Sequence, residues 1–211
     1  MSKKITCRIT FTEELLGTWP ADEEIAETYI AANAPDAKTL KEEIAALGVE
    51  EVADKSRTIF PRAEDGTPIL YDYQIKGFFK DSCGSLARVK SSESSKLKAY
   101  KKIIDGNIFV TPRQIRLDMP ADCGSCQRPL RAATPQGERV ALANSETAPV
   151  GTSCRFSVVL LEDSNYSVFK EWMDYGKLKG IGQWRNSGKG RFTCEILEEQ
   201  TLSFAEAIEF C

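Results

Sequence analysis

The sequence predicts an α+β fold with a split βαβ order, and three observations carry that reading. Lys4–Phe11 and Thr152–Leu161 alternate apolar and polar residues with period two, the mark of half-buried strands. Asn165–Lys179 places Val168, Trp172 and Tyr175, with Phe169 and Met173, on one wide apolar stripe at helical spacing. With two insertions set aside, 18–56 and 90–137, the remaining elements run strand, helix, strand, strand, helix, strand.

The first strand presents Ile5, Cys7, Ile9 and Phe11 on one face and Thr6, Arg8 and Thr10 on the other, as a central strand would. Residues 22–33 and 36–47 then take a helical pattern: Leu40, Ile44 and Leu47 share a face, Thr39 and Glu42 form a capping box, and Gly48 stops the run. Residues 13–51 hold eleven Asp/Glu and two Lys, so this segment carries −9 and the rest of the chain +6. It reads as an acidic, solvated helical insertion.

Arg57–Phe60 and Ile69–Tyr71 flank the hairpin-type turn Glu64-Asp65-Gly66-Thr67-Pro68. A helix follows from Tyr73, with Ile75, Phe78, Phe79, Cys83 and Leu86 at helical spacing and Lys76 and Lys80 four apart on another face. Gly77 in its middle costs about 1 kcal/mol against Ala, which points to close approach by a neighbour or a ligand. The alternative is a plain amphipathic helix with solvated lysines. Residues 90–103, rich in Lys and Ser, read as a mobile basic loop leading into a short helix. After a turn at Asp105-Gly106-Asn107, strands are expected at 107–111 and 113–118. The stretch 119–138 reads as irregular, with Arg128, Pro129, Leu130 and Arg131 able to pair on a sheet edge. Val140–Ala143 and Thr152–Leu161 bracket a turn at Ala148-Pro149-Val150-Gly151, and Asp163 or Ser164 is placed to cap the helix over Asn165–Lys179. A last strand, Arg191–Leu197, precedes a polar tail.

Composition narrows the function. At 211 residues, 42% hydrophobic and 28% charged, the chain has room for one large or two small globular domains and can bury about 70% of its unfolded surface. No apolar run reaches the eighteen or so residues of a membrane span and no secretory leader is read at the start, so an intracellular, cytoplasmic protein without membrane contact is expected. Seven cysteines, an odd number, fit reduced thiols; Cys123 and Cys126 form the one close pair, and a zinc site there would need two distant thiols because the chain has no histidine. The absence of histidine removes the usual triads, His-dependent metal hydrolases and His-based ribonucleases. Carboxylate or lysine chemistry stays open, but no motif points to it. No cofactor is expected.

The candidate site is Gly180–Phe192, which holds four glycines, Trp184 and three cations in thirteen residues. Glycines so close together suit turns with φ > 0 or a ligand against bare backbone, and adjacent cations suit phosphate. Gly188-Lys189-Gly190 lacks the hydroxyl residue of a Walker loop, and the flanking elements are the wrong ones for a dinucleotide fingerprint. The alternative is a basic helix-to-strand turn.

Three stretches carry a family resemblance: Ile69–Leu86 with Gln74-Ile75-Lys76-Gly77-Phe78-Phe79, Ala148–Val158 with its Pro-x-Gly-Thr turn, and Gly180–Phe192. Their order resembles the RAMP superfamily, the ferredoxin-like RNA-binding proteins of CRISPR effector complexes. The resemblance implies a ferredoxin-like (RRM/RAMP-like) core across 1–211 with an acidic helical insertion and an irregular β insertion. It implies non-catalytic binding of RNA or a nucleotide. In that reading the N–H groups around Gly180, Gly182, Gly188 and Gly190 meet phosphate, and Arg185, Lys189 and Arg191 supply charge. Trp184 stacks on a base beside Asn186, and Lys76 and Lys80 extend the surface. The processing nucleases' catalytic histidine has no counterpart here, and the acidic insertion departs from the backbone subunits. The sequence also resembles small prophage proteins, which implies a phage protein acting on host immunity. Its partners would be a CRISPR effector complex, another host defence protein or a second copy of the chain. Two rivals stand beside this reading: a protein–protein inhibitor whose acidic segment mimics nucleic acid, and a carboxylate- or lysine-dependent nuclease or phosphodiesterase.

Overall fold

In the computed structural model, residues 1–21, 57–134 and 137–210 are described, the side chains of 130–142 excepted. The acidic helices expected over 22–33 and 36–47 lie outside the described residues.

The first sheet is built on β1 (Ser2–Phe11), whose alternation places Ile5, Cys7, Ile9 and Phe11 at 0–1% exposure against the helices. β1 pairs antiparallel with β10 (Ser153–Leu160) on one side and with β11 (Phe192–Leu202) on the other. The far edge of β10 receives β6 (Ile108–Thr111) and, past Pro112, β7 (Gln114–Asp118), which in turn pairs with β5 (Ile69–Tyr71). Helices α1 (Asp72–Leu86) and α3 (Tyr166–Lys179) cover one face. Phe79 of α1 stacks on Trp172 of α3 at 5.6 Å, and Phe78 meets Phe192 of β11 edge-on at 5.1 Å. The order β11-β1-β10-β6 with two helices on one face is the α+β, ferredoxin-like core.

The second core strand is Ile108–Thr111 and not Val140–Ala143, so the stretch 90–137 contains core as well as insertion. Residues 119–138 are not irregular either. β8 (Gly124–Thr134) and β9 (Gly137–Ala148) form a long antiparallel hairpin, and Pro129 is tolerated because, among the described residues, β8 pairs on one side only. β9 also joins β2 (Leu15–Leu16) and β4 (Thr58–Ile59), and β4 pairs with β3 (Trp19–Pro20), completing a second sheet. The turn at Glu64–Pro68 forms, with Gly66 at φ +82°, but its flanking strands enter different sheets. Buried Glu146 accepts from Phe60 N–H at 2.8 Å and pairs with Arg62.

The Lys/Ser-rich segment is held in place rather than loose. The Glu171 carboxylate accepts from Glu93 N–H at 2.8 Å and from Ser94 N–H at 2.9 Å, and Trp172 Nε1–H donates to Ser94 Oγ at 2.9 Å. This fixes the start of α2 (Tyr100–Asn107) beside α1. Asn165, not Asp163 or Ser164, occupies the N-cap of α3, and no side-chain cap bond is made there. The tail is ordered by the long β11 and by a short helix α4 (Phe204–Phe210).

Candidate functional site

The loop between α3 and β11 is built by its glycines. Gly180, Gly182, Gly188 and Gly190 have φ of +69°, +82°, +90° and +70°, and a Cβ on Gly190 would lie 1.9 Å from the Ile181 carbonyl oxygen. The N–H groups of Gly180, Gly188 and Gly190 donate to the carbonyls of Gly176, Arg185 and Glu14 at 3.2, 2.9 and 2.8 Å. These three glycines are buried, so their amides close the loop on itself and on the segment after β1 instead of facing a ligand, contrary to the expectation for them. Gly182 is half-buried against Leu15 and Leu16.

The side chains divide between two directions. Lys189 donates to Glu14 at 2.6 Å, and that hydrogen bond raises its pKa. Arg191 is half-buried, and its Nε is buried with no hydrogen-bond partner among the described residues. Asn186 is exposed. Trp184, 42% exposed, stands in the left-handed region at φ +52° with the Arg128 guanidinium 5.4 Å from its ring. Arg128 is itself buried and donates to Gln183 Oε1 at 2.6 Å and Ser145 Oγ at 3.2 Å, which fixes the ring's underside. Arg185 turns the other way and pairs with Asp81 of α1, which Lys179 also reaches at 3.4 Å.

Asp81 opens onto a cleft of about 550 Å³ lined by Gly77, Lys80, Gly84 and Arg88 from α1 and just beyond, and by Tyr100 and Lys101 from α2. The positions 77, 80, 81, 84, 85 and 88 fall on one helical face, which is why a single cleft collects them. Among the described residues no atom lies within 4 Å of a Cβ built on Gly77, so the backbone there is bare towards the cleft. Lys80 pairs with Asp105 at 2.5 Å, and this hydrogen bond lowers the Asp105 pKa. Lys76 donates to the Asp105 carbonyl at 3.1 Å, 4.7 Å from the Phe109 ring. Arg88 and Lys101 have no ion-pair or side-chain hydrogen-bond partner among the described residues.

The structure therefore brings Arg185 and Lys179 together at Asp81, holds Lys80 on Asp105 in the wall of the same cleft, and directs Lys189 elsewhere, towards Glu14. Arg88, Tyr100, Lys101 and Arg128 join the candidate set, although sequence reasoning placed the first three in or beside a loose loop and the last on an irregular edge. Six described thiols are unbridged, with Cys123 and Cys126 half-buried, and among the described residues no three His, Cys, Asp or Glu side chains converge as a metal site. Among those residues no helix is long and apolar enough to cross a membrane.

No family model and no curated protein matches the chain. Among solved structures the fold is similar to a chain in a cryo-EM structure of the type III-B Cmr-beta complex bound to cognate target RNA, with 9% identity and a TM-score of 0.51. The match covers 96% of this chain and 61% of that one, so this chain spans about three fifths of its length. At such identity the likeness establishes the fold alone, in agreement with the ferredoxin-like layout.

Proposed function

We propose that the chain binds single-stranded RNA, or a nucleotide of the same phosphate chemistry, without cleaving it, in the α1–α2 cleft and along the adjoining loop. The observation that carries this reading is the cleft's own composition: bare backbone at Gly77 in the same cleft as Arg88 and Lys101, two cations with no side-chain partner among the described residues, continuous through Asp81 with Arg185. Lys80 adds to the same wall. Cations and open backbone in one cleft suit a phosphodiester chain, and exposed Trp184, next to Arg185 in the loop, offers a stacking face. The Cmr-beta complex of similar fold is bound to RNA, which supports the same ligand class here.

The absence of catalysis rests on the lack of histidine and on the state of the acids near the cleft. Asp81 and Asp105 are ion-paired, and a hydrogen-bonded lysine holds the Asp105 carboxyl ionised, away from the range of a general acid at neutral pH. The biological setting we propose, from the prophage resemblance, is counter-defence, with a CRISPR effector complex or its RNA as the target.

Native mass spectrometry of freshly purified protein, followed by incubation with labelled single-stranded RNA, tests this reading. A co-purified oligonucleotide or nucleotide, recovered intact after denaturation, is the expected result. Turnover lost on mutating one Asp, Glu or Lys would overturn it in favour of an enzyme. Capture of a basic protein with no nucleic-acid affinity would favour the acidic mimic.

A further inference from the structure

The sheet face opposite α1 and α3 carries a second cationic surface. Arg8 of β1 and Arg155 of β10 are direct cross-strand partners. Directly opposed residues of an antiparallel pair have Cα atoms about 4.5–5.5 Å apart, and like charges there destabilise the sheet. One row along, Thr6 and Ser157 are joined by a 3.1 Å hydrogen bond, so the ladder does satisfy its outward side chains where they are neutral. On its other side Arg8 faces exposed Glu195, its cross-strand partner on β11, at 3.9 Å, while Arg155 has no side-chain partner among the described residues.

The arginine pair borders two depressions. One, of about 490 Å³, lies between Arg8, Arg155, Gln114 and Arg116; the other, of about 530 Å³, lies between Lys4, Thr6, Ser157 and Phe210. Arg155 and Pro112 line both, so the depressions adjoin along the strands. The acids at their margins are Asp118 at one end and Glu198 at the other, while Asp65 pairs with Arg116. Along their own strands the outward neighbours of Arg8 and Arg155 are Thr10, Thr6, Ser153 and Ser157, and the exposed ring that lines the second depression, Phe210, already carries the Lys4 ammonium 3.6 Å from its centroid.

We infer that this open face is a second phosphate-binding surface, which takes the backbone of a single-stranded nucleic acid through the guanidinium groups of Arg8 and Arg155. Guanidinium pairs suit phosphate oxygens bidentately, and two adjoining depressions suit consecutive phosphates of one strand rather than one isolated anion. Glu195 offsets the cross-strand repulsion only on the Arg8 side, and a bound phosphate would neutralise the remainder. This surface lies on the other side of the sheet from the α1–α2 cleft, so it stands without the cleft reading.

The test compares the full chain, an Arg8→Gln/Arg155→Gln variant, an Arg8→Lys/Arg155→Lys variant and a cleft variant, Arg88→Gln/Lys101→Gln. Binding of a fluorescein-labelled twelve-nucleotide oligouridylate is followed by anisotropy across a salt series, with inorganic tripolyphosphate as competitor. The Gln pair should lower the slope of log K against log salt by about 1.4, at roughly 0.7 per lost contact, while the Lys pair should keep the slope. The Gln pair should also raise the Tm of the ligand-free protein by about 1–3 °C, because a repulsion is removed. An unchanged slope, or a lowered Tm accompanying lost binding, would overturn the inference. So would tripolyphosphate displacing the oligonucleotide equally well at matched phosphate. A loss confined to the cleft variant would overturn this inference and leave the cleft reading standing; a loss confined to the sheet-face variant would do the reverse.

Discussion

Arg185 closes the glycine-rich loop onto the first helix through Asp81, and the same carboxylate faces the cleft between the helices. In the proposed reading Asp81 occupies the place that a ligand's phosphate would take. Replacing it with Asn should release Arg185 and Lys179 and raise RNA affinity about two- to five-fold, since a partly exposed pair is worth up to about 1 kcal/mol. The Tm should move by less than about 3 °C. Weaker binding by Asp81→Asn would mean that the carboxylate holds the site together instead of competing for it.

Gly77 separates stability from function. It lies in the interior of α1, where Ala is favoured by about 0.5–1 kcal/mol, and no described atom obstructs the added methyl. Gly77→Ala should therefore raise the Tm while lowering ligand affinity, because the methyl narrows the cleft. Gly190→Ala should do the opposite to the fold, since its methyl would meet the Ile181 carbonyl. Thermal melts and binding isotherms of the two variants check both statements.

The contact between Trp172 and Ser94 anchors the basic segment. Ser94→Ala would leave the buried indole N–H without its acceptor, which costs about 1–3 kcal/mol. Since α2 carries Tyr100 and Lys101, the variant should weaken ligand binding as well as lower the Tm. A lowered Tm with unchanged binding would show that the cleft does not depend on this anchor.

The elements read best from sequence were those whose period was unbroken: β1, β10 and α3 each bury a full apolar face. The strand expected at 107–111 forms as Ile108–Thr111, but its place in the core order escaped, because it lies in the stretch 90–137 set aside as an insertion and its pairing with β10 is not a local property of its sequence. The long hairpin escaped because Gly124, Cys126 and Pro129 read as loop residues, while its pairing register is a property of the partner strand. Half of the cleft was legible in the Gly77–Arg88 helical face. The other half was not, because docking of Tyr100 and Lys101 depends on a distant carboxylate, Glu171. The glycines of the loop were correctly singled out as positions of positive φ, but local sequence could not show that their amides are used internally.

Asp65 supplies a pH dependence. A hydrogen bond from Arg116, with further bonds from Thr67, holds its pKa at about 2, below its usual 3.8. A depressed carboxylate pKa stabilises the fold above the unfolded value and loses that contribution as pH falls through the folded value. The Tm difference between the wild type and Asp65→Asn should be constant above about pH 5 and should close as pH falls from about 4 towards 2. A difference that persists at pH 2 would contradict the assignment.

The salt dependence of RNA binding tests the central claim most directly. For a labelled single-stranded RNA, log K against log salt should fall linearly in the wild type. The triple variant Lys80→Gln/Arg88→Gln/Lys101→Gln should show a slope shallower by about 2, at roughly 0.7 per removed phosphate contact. No binding by the wild type at low salt, or the same slope in both proteins, would contradict the placement of RNA in the α1–α2 cleft.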